Sequence, residues 1–178
     1  DGGNSTGTAT PVFHVLGYQI QNGQLVSFDF TTSTTASIGA NIGAVVNGIG
    51  FNTTDGYLWG SISGAGVIRI DPTTGAFTSY AVSNLPSLDN VGEVINGYLY
   101  LYSQNTTRYY VVDVNPARAT YLQLVDPTAS FAPQTSNFGT AIASLNIADW
   151  AYNSAEGLLH TVDSSLKLIT VNPLTGAT

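Results

Sequence analysis

Apolar and polar residues alternate over short stretches, as in Val67-Ile68-Arg69-Ile70, Tyr109-Tyr110-Val111-Val112-Asp113-Val114 and Leu166-Lys167-Leu168-Ile169-Thr170-Val171. A period of two puts successive side chains on opposite faces of an extended chain, and the β-branched and aromatic residues in these runs favour strands. No window holds helical spacing over ten residues or so, and Gly, Asn-Gly, Asp-Gly and Asp-Pro punctuate the chain about every eight to twelve residues. The pattern predicts an all-β protein.

The punctuation recurs. Asp55-Gly56-Tyr57-Leu58 aligns with Asn96-Gly97-Tyr98-Leu99 and with Glu156-Gly157-Leu158-Leu159. A second landmark follows each: Asp71-Pro72, Asn115-Pro116 and Asn172-Pro173, with Asp29-Phe30-Thr31-Thr32 in the corresponding place upstream. Asp or Asn caps such a turn through its side chain, Pro presets φ, and Gly supplies a positive φ. Four units emerge, over about residues 12–43, 44–84, 85–143 and 144–178, after a flexible amino-terminal segment, 1–11. The second unit parses into an inner strand at 48–52, strands at 57–62 and 67–70, and an outer strand at 76–82, and the extra length of the third falls at 126–143. Four antiparallel strands per repeat of about 40 residues make a β-propeller blade.

The stretches YNSAEGLLHTVDSSLKLITVNPLTG and GFNTTDGYLWGSISGAGVIRIDPTTG resemble blades of an uncharacterised propeller-type repeat domain of secreted and cell-surface fungal and bacterial proteins. The resemblance implies fold, not activity. The first unit begins at its second strand, 12–20, and the fourth stops at Gly176-Ala177-Thr178, where an outer strand would start. This predicts an incomplete ring, part of a larger propeller completed by the rest of it or by another copy of the chain.

Composition narrows the partners. Only 8% of the 178 residues are charged, and four basic side chains stand against eleven acids, a formal net charge of −7. Scattered cations do not neutralise phosphates, so neither nucleic acid nor an anionic membrane is an expected partner, and no run is long and apolar enough for a spanning helix. The absence of cysteine excludes disulfides and thiolate chemistry. A chain opening on Asp1 is expected to be a processed product, secreted or at a cell surface, and Asn4, Asn52 and Asn105 begin glycosylation sequons, although so hydroxyl-rich a chain yields about three by chance.

Candidate chemistry is sparse. Asp149, Glu93 and Asp89 fall where units enter their inner strands, and oxygen ligands converging on a propeller channel suit calcium; capping of turns is the alternative. His14 and His160 lie in second strands without a catalytic pattern around them. Tyr98, Tyr100 and Tyr102 share one face of a strand, and these rings, with Trp59 and Trp150, are either sugar-stacking platforms or filling between blades. Gly64-Ala65-Gly66 joins two strands and lacks the helix of a phosphate cradle. The reading that follows is a non-catalytic extracellular module presenting propeller surfaces to glycan or protein at a microbial surface. The alternatives are a structural subunit completed by a partner chain and a calcium-dependent hydrolase or lyase.

Overall fold

In the computed structural model, which describes residues 15–64, 66–88 and 90–178, the repeated turns generate four antiparallel blade sheets, beside one separate two-stranded hairpin. The first holds β1 (Leu16–Gln21), β2 (Gln24–Asp29) and β3 (Thr34–Ile38). The second holds β4 (Val46–Asn52), β5 (Tyr57–Ile62), β6 (Gly66–Ile70) and β7 (Phe77–Ala81). Strands β8 (Val91–Ile95), β9 (Tyr98–Tyr102) and β10 (Arg108–Asp113) begin the third. The hairpin β11 (Val125–Asp126) and β12 (Ala132–Pro133) interrupts it before β13 (Thr140–Ala141) closes its outer edge. The fourth holds β14 (Ala151–Asn153), β15 (Leu158–Val162) and β16 (Leu168–Val171). Each sheet follows chain order, and among the described residues there is no α-helix.

One capping device ends the third-position strand of every sheet. The side-chain Oδ1 of Asp29 accepts from the Thr31 amide, Asp71 from Thr73, Asp113 from Asn115 and Asn172 from Leu174, all at 2.7–2.9 Å. Strand register confirms the equivalence. Tyr18 faces Ser27, Trp59 faces Arg69, Tyr100 faces Val111 and His160 faces Thr170, and each partner lies two residues before its capping residue. The third landmark is therefore Asp113 rather than Asn115-Pro116. The extra length of that unit is also displaced: it runs over 114–139, and the outer strand β13 lies inside the stretch that the sequence marks as loop.

Three apolar layers separate the four sheets. Leu25, Val46, Leu58, Ile68 and Ile70 fill the first, Trp59, Val67, Leu99, Leu101 and Val112 the second, and Tyr100, Tyr102, Tyr109, Trp150, Leu159 and Val171 are at the centre of the third. Neighbours in one strand point into different layers, as Leu58 and Trp59 do, so central strands read as nearly continuous apolar runs. Burying each large side chain contributes about 1.5–3 kcal/mol, and these layers dominate the stability of the array. This is a β-propeller architecture of four blades, the first and last being three-stranded among the described residues.

Inner strands β4 and β8 meet along a glycine seam. A methyl group on Gly92 would overlap the Gly48 carbonyl, and one on Gly50 would lie 2.5 Å from the Val94 nitrogen. No residue with a side chain permits this approach, which brings the inner strands together at the axis.

Candidate functional site

Next to the seam lies an axial recess of about 210 Å³ to which all four units contribute: Tyr18 and Gln19 from β1, Asn47 from β4, Asn90 ahead of β8 and Asp149 ahead of β14. Its lining is rich in uncharged hydrogen-bonding groups, with Asp149 the single carboxylate.

Inner strand β8 is an edge, so amides that face the axis have no partner strand and need other acceptors. Two carboxylates supply them reciprocally. Asp149, from the fourth unit, accepts from the Gly92 amide of the third at 3.2 Å and from its neighbour Trp150 at 2.9 Å. Glu93, from the third unit, accepts from Val94 at 2.8 Å and from the Tyr152 amide of the fourth at 3.4 Å. The Asp149 carbonyl also accepts a hydrogen bond from the Thr161 hydroxyl at 2.5 Å. Asp149 keeps surface toward the recess, but the surrounding walls desolvate its carboxyl and raise its pKa against the amide bonds that lower it. Burial raises the Glu93 pKa too, and the Asp149 charge adds to that push.

Of the three residues considered for calcium, Asp149 and Glu93 are thus brought together as an inter-blade latch, while Asp89 lies outside the described residues. No group of three or more acidic, histidine or cysteine side chains is placed to hold a metal among the described residues. His160 hydrogen-bonds Glu156 at 2.7 Å on the surface, and His14 lies outside the described residues.

The aromatic candidates require correction. Trp59, Tyr100, Tyr102 and Trp150 are 0%, 1%, 0% and 4% exposed, which closes them to sugar stacking. Trp59 stacks on Tyr80 and donates its indole N–H to Asp55 at 2.9 Å; Trp150 stacks on Tyr102 and meets Tyr109 edge-on. Tyr98 is half-buried, but Phe131 stacks on it at 4.0 Å between centroids and the Arg118 guanidinium lies 4.0 Å from its ring centre. Among the sequons, Asn52 is also corrected: the residue is 0% exposed and its amide nitrogen is buried, so a glycan has no access in the folded protein. Asn105 is exposed in a turn, and Asn4 lies outside the described residues. Gly64 and Gly66 bracket the β5–β6 turn, and Ala65 lies outside the described residues.

Sequence reasoning missed the Arg118 clamp. Arg118 reaches the fully buried Asp113 at 3.1 Å and the Asn96 carbonyl at 2.9 Å, and the Thr120 hydroxyl donates to Asp113. A basic residue close behind an acidic turn cap was the available signal.

A family described as "Repeat of unknown function (DUF6923)" matches residues 14–178. No curated protein sequence matches the chain. Among solved structures, a chain of a nidogen/laminin complex is similar over 92% of this chain and 75% of its own, at 12% identity and a TM-score of 0.50. BamB from Moraxella catarrhalis is similar over 92% of this chain and 41% of its own (16% identity, TM-score 0.45). A streptogramin B lyase is similar over 89% and 50% (15% identity, TM-score 0.44). Identities this low speak to the fold alone.

Proposed function

The chain belongs to the DUF6923 repeat family, and from that premise we propose that it is a non-catalytic binding module, secreted or at a cell surface, whose axial recess takes a neutral, hydroxyl-rich ligand such as the end of a glycan. The observation that supports this reading is the lining of the recess: Tyr18, Gln19, Asn47 and Asn90, polar and uncharged, border a space to which all four blades contribute. Such groups pair with sugar hydroxyls without needing charge, and the two nearby carboxylates are already occupied by backbone amides. At about 210 Å³ the recess is smaller than the roughly 300–1,000 Å³ of drug-sized sites, which selects a single ring or chain terminus over an extended oligosaccharide. The uncharged, hydroxyl-rich composition supports a placement outside the cell.

Titration calorimetry against neutral mono- and oligosaccharides tests the reading. Binding is expected to weaken about tenfold in Gln19→Ala, which removes one hydrogen-bonding group from the wall. Turnover of any of these sugars, or binding indifferent to Gln19→Ala, overturns it.

A further inference from the structure

Positions equivalent by register have the same fate in three sheets and a different one in the fourth. Leu25, Val67 and Tyr109 face Ile20, Ser61 and Tyr102 across their strand pairs, and they are 1%, 0% and 1% exposed because the next sheet covers them. Leu168 faces Val162 at the same place, yet these two are 63% and 49% exposed. The other half of each layer is equally regular. Ile70, Val112 and Val171 face Leu58, Leu99 and Leu159, and they pack on the preceding sheet with at most 1% exposure. Their counterpart in the first sheet is Phe28, which faces Gly17, and it remains half-exposed. Phe30 packs against Gly17 and is itself 67% exposed. The fourth sheet therefore carries a donor face, and the first a receiving face, of a layer that the described residues of one copy do not close.

We propose that a second copy of this chain docks its first sheet, through Phe28 and Phe30, onto the Leu168–Val162 face of the fourth. The added layer continues the three that already join the blades, with the same register positions in contact. A contact between two different faces is heterologous: it closes when both copies use both faces and otherwise extends. Since each copy carries a formal net charge of −7, added salt relieves the long-range repulsion and tightens the contact.

The lack of cysteine permits a direct test. Leu168→Cys and Phe28→Cys proteins, mixed and oxidised, are expected to yield the mixed disulfide in preference to either homodimer. Sedimentation velocity is expected to show a concentration-dependent rise above the 18.6 kDa monomer. Leu168→Arg is expected to weaken this association at least tenfold, and Phe77→Arg, on the exposed outer strand β7, to leave it unchanged. A monomer at every concentration to several hundred micromolar overturns the proposal. A Leu168→Cys homodisulfide as the dominant product also does so, since it signals face-to-face pairing of fourth sheets. Equal loss of association in Phe77→Arg removes the assigned face, and burial of Leu168 by further repeats in a monomeric longer polypeptide removes the second copy as its occupant.

Discussion

Gly92 shows how little room the axis leaves. A methyl group there meets the backbone of β4, which cannot swing aside as a side chain can, so Gly92→Ala is expected to cost about 3 kcal/mol, read from the urea midpoint. Glu93 illustrates the opposite freedom. Its raised pKa means that the folded protein holds the proton more tightly than the unfolded chain. Stability therefore rises as pH falls through the folded pKa toward the ordinary value of 4.5, and falls as pH rises. Asp149 acts in the same direction. Asp71 acts in the other: its pKa is lowered by the Thr73 and Thr74 amides, and its contribution is lost on acidification below about 3.8. Wild-type protein is expected to gain urea resistance as pH falls from neutrality toward the ordinary carboxylate range, and Glu93→Gln to gain less while being the more stable of the two at neutral pH. At this scale the sequence marked acids that the structure engages with backbone amides, the capping role weighed beside calcium. A carboxylate at an inner-strand entry looks the same whether it waits for a cation or for an edge amide, and the distinction lies in the unpaired N–H groups of β8. Asn52 misled similarly, because a sequon records residue types and not which side of the strand is buried.

Strands and turns were the most legible elements. The strands of the second sheet lie within two residues of their sequence-based bounds, since alternation and Gly or Pro punctuation act locally. The third unit obscured its own landmark because Asp113 and Asn115 each cap a turn, Asn115 accepting from Ala117 at 3.0 Å, and Pro116 makes the second of them look like the other repeats. Only strand register separates the two. Its inserted segment is anchored by Arg118, which connects Asp113, the Asn96 carbonyl and the Tyr98 ring. Arg118→Ala is expected to cost about 2 kcal/mol in chemical denaturation, and Arg118→Lys to recover little of it, because a point ammonium cannot bridge all three groups as the planar fork does.

Across the whole molecule, the layers decide what the sequence left open. The alternation of Tyr98, Tyr100 and Tyr102 shows a shared aromatic face, but that face becomes core or binding surface according to whether another sheet arrives on it, a fact about residues far along the chain, such as Trp150 stacked on Tyr102. Amide exchange should follow the same logic. The amides of β9, between two filled layers, are expected to exchange slowest, and those of β3 and β16 fastest, in a native-state hydrogen-exchange series.

Because every sheet is a meander in chain order, each one has all its partners as soon as its own last strand exists. A chain emerging from the ribosome can therefore fold blade by blade, mostly with short loops to close, the third blade alone waiting for its outer strand across the 114–139 insertion. At each stage of synthesis the growing end shows an uncovered apolar face, the one that the next blade will bury, so this part of the aggregation hazard advances with translation while the face of the first sheet stays behind it.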